Sequence, residues 1–189
     1  RKAIGDVLQF RDDRDAALAS YNEALKLFKE IGAKLGEANV LQAIGDVQNF
    51  RDERDEALQS YQQALTLFRQ VGDRLGEANV LMSLGDASNS QENWSDAIRY
   101  YEQALPIYQA IQDQLGQANT LIDLGKAYFE IGEQDKGLKY VKTAGDLFAK
   151  IGSGYWAAIA YRRLAGMLKR CGRNQEGEEI ENQLKAAGA

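Results

Sequence analysis

The chain has 189 residues, 44% of them apolar, with one proline and a net charge of −5. That is enough apolar content for a packed core, and no apolar run approaches the roughly 20 residues of a membrane-spanning helix. Histidine is absent and Cys171 is the lone cysteine, which removes the commonest general base and metal ligand and excludes an internal disulfide. No signal peptide is visible, and the expected compartment is the cytoplasm.

In chain order, the first recurrent element is Ile-Gly-Asp-Val at Ile4–Val7. It returns as Ile44–Val47, Leu84–Ala87 and Leu124–Ala127, each time 40 residues on. A fixed period of this length marks a stacked repeat protein, in which function resides on an extended surface. Gly5, Gly45, Gly85 and Gly125 fall inside this first helix, where glycine costs about 1 kcal/mol relative to alanine. Close approach of a neighbouring helix would account for a cost met four times.

Asp15, Asp55, Ser95 and Asp135 share one repeat position and are N-cap residue types, expected to open a second helix. That helix carries Ala17, Tyr21 and Ala24, matched by Ala57, Tyr61, Ala64 and by Ala97, Tyr101, Ala104. Gly32, Gly72 and Gly152 follow its last apolar residue, where a left-handed terminus is usual. The next first helix opens on Leu-Gly-Glu-Ala-Asn-Val, verbatim at Leu35–Val40 and Leu75–Val80. Leu115–Thr120 repeats it with Gln117 and Thr120 in place of Glu and Val. Apolar residues at Val40, Leu41, Ile44 and Val47, then at Leu58, Tyr61, Leu65, Phe68 and Val71, have helical spacing. Ala3–Val40 laid over Ala43–Val80 gives 25 identical pairs.

Later repeats drift. The fourth has Gly137 and Val141 in place of Ala and Tyr, and the fifth has Ala165 in place of Gly. The last helix, Asn174–Ala187, is polar, with Glu176, Glu178, Glu179 and Glu181, as the end of a solenoid requires. Arg1 falls in the middle of a first helix, so a fragment of a longer array is expected.

The pattern Leu-Gly…Ala-x3-aromatic…Ala resembles the tetratricopeptide repeat along essentially the whole chain. The period is six residues longer than the usual repeat of about 34, which would lengthen each helix by about 4–5 Å. It is similar to the 40-residue repeats of spindle-orientation adaptors named for a Leu-Gly-Asn motif, and to sensor arrays of bacterial and fungal signalling ATPases. The third motif residue here is Asp6, Asp46 and Asp86, then Lys126, where the adaptors carry Asn. The resemblance implies an all-α, right-handed α-solenoid of stacked helix–turn–helix repeats, with first helices lining a concave groove. One solenoid domain, 1–189, is expected, with repeats at 1–34 (short at its start), 35–74, 75–114, 115–153 and a capping unit at 154–189.

No catalytic chemistry is expected. The glycines recur for packing, Cys171 has no histidine to activate it, and Asp12, Asp13, Asp52 and Glu53 are turn residues. No cofactor or metal site is expected either.

The surface carries more information. Asn39, Gln42, Asp46 and Asn49 form one polar stripe on a first helix. Repetition gives an asparagine ladder, Asn39, Asn79 and Asn119, and an aspartate ladder, Asp6, Asp46 and Asp86, with Met82 beside it. Such asparagines either hold an extended peptide backbone or brace helix ends. The register continues to Lys126, Arg162, Lys169 and Arg170. Residues 139–173 hold eight basic residues and one acidic, whereas residues 1–120 hold 12 basic and 19 acidic. The groove is therefore expected to be acidic at its start and basic at its end, a field that orients a partner, or else these charges serve salt bridges between helices. Nucleic acid is disfavoured by the acidic chain, although Tyr140, Tyr155, Trp156 and Tyr161 lie near the basic segment. The Lys and Asn pattern of chaperone-binding repeats is absent, since Gln42, Asp46, Met82 and Asp86 stand there.

The expected function is a non-catalytic scaffold that binds a peptide or helix of a partner protein. The alternatives are a sensor or autoinhibitory array of a signalling ATPase, and a structural module that self-associates through its short first repeat.

Overall fold

A computed structural model describes residues 14–186. The described residues form nine helices and no strand: α1 Arg14–Glu30, α2 Lys34–Phe50, α3 Arg54–Val71, α4 Arg74–Ser90, α5 Trp94–Ala110, α6 Gln114–Glu130, α7 Gln134–Lys150, α8 Gly154–Arg170 and α9 Asn174–Ala186. Most are 17 residues long. Three residues join each to the next, except that two join the 18-residue α3 to α4, so a hairpin and its following turn account for the period of 40. The chain divides after Gln91 into two compact units. In the N-terminal unit each helix packs on its sequence neighbour and α2 also meets α4, whereas in the C-terminal unit α5 to α9 pack in succession.

One turn recurs at every connection. Gly32, Gly72, Gly132, Gly152 and Gly172 are left-handed, with φ of 67°, 74°, 92°, 77° and 79°. Asp52, Glu92 and Gln112 hold the same conformation, at 64°, 58° and 59°. These eight positions are spaced by 20 residues. In most turns the next N–H reaches back to a carbonyl five residues earlier, as Ala33 does to Phe28 (2.9 Å) and Asp73 to Phe68 (3.0 Å). Two such bonds satisfy carbonyls that the helix end would leave open.

Because this turn is so short, helices begin two residues earlier than the sequence suggests. Asp55 and Asp135 lie in the first turns of α3 and α7, whose caps are Glu53 and Glu133, and Ser95 follows the cap Asn93. Asp15 likewise lies in the first turn of α1. Their carboxylates favour the helix dipole there. Side-chain caps open two of the first helices, α4 and α6: Asp73 accepts from the Gly76 N–H at 3.0 Å and Asp113 from the Gly116 N–H at 2.9 Å.

Two sets of glycines make room for aromatic rings. A Cβ on Gly36, Gly76 or Gly116 would lie 2.5 Å or less from the ring of Phe28, Phe68 or Tyr108 on the preceding helix. In the last repeat Trp156 replaces that glycine and stacks on Phe148 instead, with centroids 6.4 Å apart. The second set is Gly45, where a Cβ would meet the Tyr61 ring at 2.6 Å, and Gly125, where it would meet Val141 at 2.5 Å. Gly85 is buried in α4, and Gly5 lies outside the described residues. Ala17, Tyr21, Ala24, Val40, Ala43, Ile44 and Val47 form one core cluster between α1 and α2. The polar α9 buries only Gly177.

Candidate functional site

The first helices of the N-terminal unit are α2 and α4. Their core side is settled by Val40, Leu41, Ile44 and Val47, none more than 5% exposed, so the polar stripe turns outward. Asn39 is half-buried and donates from Nδ2 to the Leu35 carbonyl of its own helix at 2.8 Å. Gln42, Asn79 and Met82 are half-buried, and Asp86 is exposed. Asp46 is committed to the fold, because it accepts the hydroxyl proton of buried Tyr61 at 2.8 Å. Burial, and then the charge of Asp46, push the Tyr61 pKa well above its ordinary value. Asp46 and Asp86 nevertheless share one cleft with Asn49, Phe50, Tyr61 and Ser83. Asp6 lies outside the described residues.

In the C-terminal unit the first helices are α6 and α8. Asn119 is exposed on the first turns of α6. Lys126 is half-buried, its Nζ 5.5 Å from the centroid of the Trp94 ring. Arg162 is exposed and has no ion pair among the described residues. Lys169 and Arg170 are both paired. Lys169 meets Glu181 at 2.6 Å, and Arg170 grips Glu130 with two N–H donors at 2.9 and 3.1 Å. The basic run is therefore partly neutralised by carboxylates that are distant in sequence but adjacent in space, including Arg173 with Asp135 at 3.2 Å.

Lys126, Phe129, Glu130, Arg163, Met167 and Arg170 line one cleft between α6 and α8. Two of these polar residues, Glu130 and Arg163, stood outside the stripe drawn from sequence. Arg163 is the residue after Arg162, at the position of Ser83 and Asp123 two repeats and one repeat earlier, and no charge pattern across repeats marked it. Glu130 is found by the offset of exactly one repeat between it and Arg170, a spacing that puts equivalent residues of successive first helices side by side.

Among the described residues no three carboxylate or thiol side chains gather as a metal would need, and no helix is long and apolar enough to cross a membrane. Cys171 is partly buried and donates to the Met167 carbonyl at 3.2 Å.

No curated protein matches the chain. Among solved structures, BtubC (BKLC) from P. vanneervenii superposes with a TM-score of 0.87 at 19% identity, covering 96% of this chain and 76% of that one. The STAND signal-transduction ATPase with a tetratricopeptide repeat sensor from Pyrococcus horikoshii gives 0.84 at 18% identity, over 100% of this chain and 30% of its own. A Rap protein complexed with competence and sporulation factor gives 0.78 at 15% identity, over 99% of this chain and 53% of that one. These likenesses show an all-α, solenoid repeat fold. The sequence model of the tetratricopeptide repeat matches residues 2–70, 50–110 and 76–150, so the chain belongs to the tetratricopeptide repeat family.

Proposed function

We propose that the chain is a non-catalytic scaffold, acting in the cytoplasm, that holds a peptide or helix of a partner protein against its first helices. The observation that carries this reading is that these helices present polar clefts of opposite sign. The cleft of the N-terminal unit holds Asp46 and Asp86, and that of the C-terminal unit holds Lys126, Arg163 and Arg170 around the single carboxylate Glu130. A cleft of one sign steers a segment of complementary charge and speeds its association. A Rap protein of this fold was crystallised with competence and sporulation factor, which supports use of such a surface for a ligand.

The test is selection of a random-peptide display library against the chain, followed by substitutions. Asp86→Lys and Asn79→Ala on a first helix should each weaken the selected peptides. Asn22→Lys and Gln63→Lys, exposed on second helices, should leave them unchanged. Equal losses from both sets would place the binding surface elsewhere. A sensor array within a larger signalling ATPase is the second reading, favoured by the match of the whole chain to 30% of the STAND protein. It predicts that the same surface contacts a domain of its own polypeptide.

A further inference from the structure

The cleft between α6 and α8 is distinguished by the imbalance of its charges. Lys126, Arg163 and Arg170 surround one carboxylate, Glu130, above a floor of Phe129 and Met167, each 5% exposed. Arg170 is already spent: its guanidinium lies 4.7 Å from the Phe129 ring centroid and forks onto both oxygens of Glu130. That fork holds the Glu130 carboxyl below the usual carboxylate range, so it is ionised at neutral pH. Neither Lys126 nor Arg163 has an ion pair among the described residues. Arg163 is left over, and Lys126 has only the Trp94 ring at 5.5 Å and the through-space charge of Glu130, so the cleft stays positive beside an apolar floor, which weakens the screening that water would supply.

Deepening the scaffold reading above, and resting on it, we propose that this cleft receives an acidic segment of a partner protein. A carboxylate of that segment pairs with Lys126 and Arg163 above the buried floor of Phe129 and Met167. Glu130 is a resident carboxylate that keeps Arg170 occupied and so sets the affinity. The buried floor selects a peptide over a polynucleotide, because Phe129 presents no exposed ring for a base to stack on.

The experiment uses the whole chain and a fluorescein-labelled peptide of alternating glutamate and leucine, with a glutamine–leucine peptide as its neutral counterpart, read by anisotropy. The acidic peptide should bind and the neutral one should not. Arg163→Glu and Lys126→Gln should each weaken binding about threefold to fivefold, the scale of exposed charge pairs. Glu130→Gln should tighten it by a similar factor, since it frees the Arg170 fork. All three effects should shrink as salt rises, with screening over about 8 Å at physiological ionic strength. Circular dichroism on each variant checks that the helices remain. Equal binding of both peptides, wild-type affinity in both Arg163→Glu and Lys126→Gln, or weaker binding in Glu130→Gln would each overturn the proposal. If library peptides of other composition still bind and are lost on first-helix substitution, the scaffold reading stands without the carboxylate site. If no peptide responds to any first-helix substitution, both are overturned.

Discussion

The pair Asp46 and Tyr61 explains why the repeat motif reads Gly-Asp. Gly45 leaves room for the ring, and the next residue accepts its hydroxyl at 2.8 Å. The same arrangement recurs in the opposite type of hairpin. A Cβ on Gly145 would meet the Tyr161 ring at 3.0 Å, and Tyr161 donates to Asp146 at 2.5 Å. Where Val141 replaces the tyrosine, the aspartate position becomes Lys126, since no hydroxyl needs an acceptor there. Asp46→Ala should therefore destabilise the protein by about 1–3 kcal/mol, by removing an acceptor from a buried hydroxyl. The same change in a Tyr61→Phe background should cost far less, and a double-mutant cycle in urea measures the difference; equal costs would deny the pairing. Alkali supplies a second check. Burial and then Asp146 push the Tyr161 pKa up to about 12, above its ordinary value of about 10. Between those values the unfolded chain has lost a proton that the folded chain keeps, so stability holds below about pH 10 and falls from there to about 12. Tyr161→Phe should flatten that fall in denaturant titrations across the window. At the turns, Glu92 and Gln112 sit at φ of 58° and 59°, a conformation that costs a side-chain-bearing residue about 1–2 kcal/mol. Replacing either by glycine relieves this against a backbone-entropy cost of about 0.5–1 kcal/mol, so melting temperature should rise slightly.

At the scale of the helix, α6 and α7 approach backbone to backbone. A Cβ on Gly137 would lie 2.6 Å from the Gly125 carbonyl oxygen and 2.9 Å from the Phe129 nitrogen, atoms that cannot swing aside. Gly137→Ala gains about 1 kcal/mol of helix propensity, yet overpacking costs about 1–3 kcal/mol, so it should destabilise. Gly166, inside α8, has nothing within 4 Å of a built Cβ, and Gly166→Ala should stabilise by up to about 1 kcal/mol. Thermal melts that rank the two variants the other way would refute the close crossing. This contrast also measures what the sequence could carry. Helix type and spacing were legible in the repeated apolar positions and glycines, because every hairpin buries the same face. The helix starts were misplaced by two residues, because Asp55 and Asp135 suit a first turn as well as a cap. The candidate site was legible as a set of first-helix positions and no further. Side-chain commitments such as Asp46 to Tyr61, Lys169 to Glu181 and Arg170 to Glu130 join residues 12 to 40 apart, and residue type does not reveal which charges are already spent.

At the scale of the whole molecule, the repeat makes stability a sum of local terms, and the near identity of the early repeats allows a clean test. Removing Leu41–Val80 joins Val40 to Leu81, and because Leu35–Val40 and Leu75–Val80 are the same six residues, the fused helix differs from α4 only by Lys34 in place of Arg74. The incoming helix also fits: Phe28 of α1 lies against Gly36 just as Phe68 of α3 lies against Gly76. One loss is specific. Glu77, 6% exposed, is held by Arg69 at 2.9 Å and by Arg74 at 2.5 Å, whereas its counterpart Glu37 has Lys29 at 4.0 Å. The shortened chain should fold to the same helicity per residue, with a smaller urea m-value because less surface is exposed on unfolding. Its melting temperature should be lower, through the missing interfaces between neighbouring helices and the weaker grip on this glutamate. Lys34→Arg in the shortened chain should restore part of that loss. A product without cooperative unfolding would mean that stability resides in a globule closed over distant contacts, and the account of the chain as a nearest-neighbour stack would fall with it.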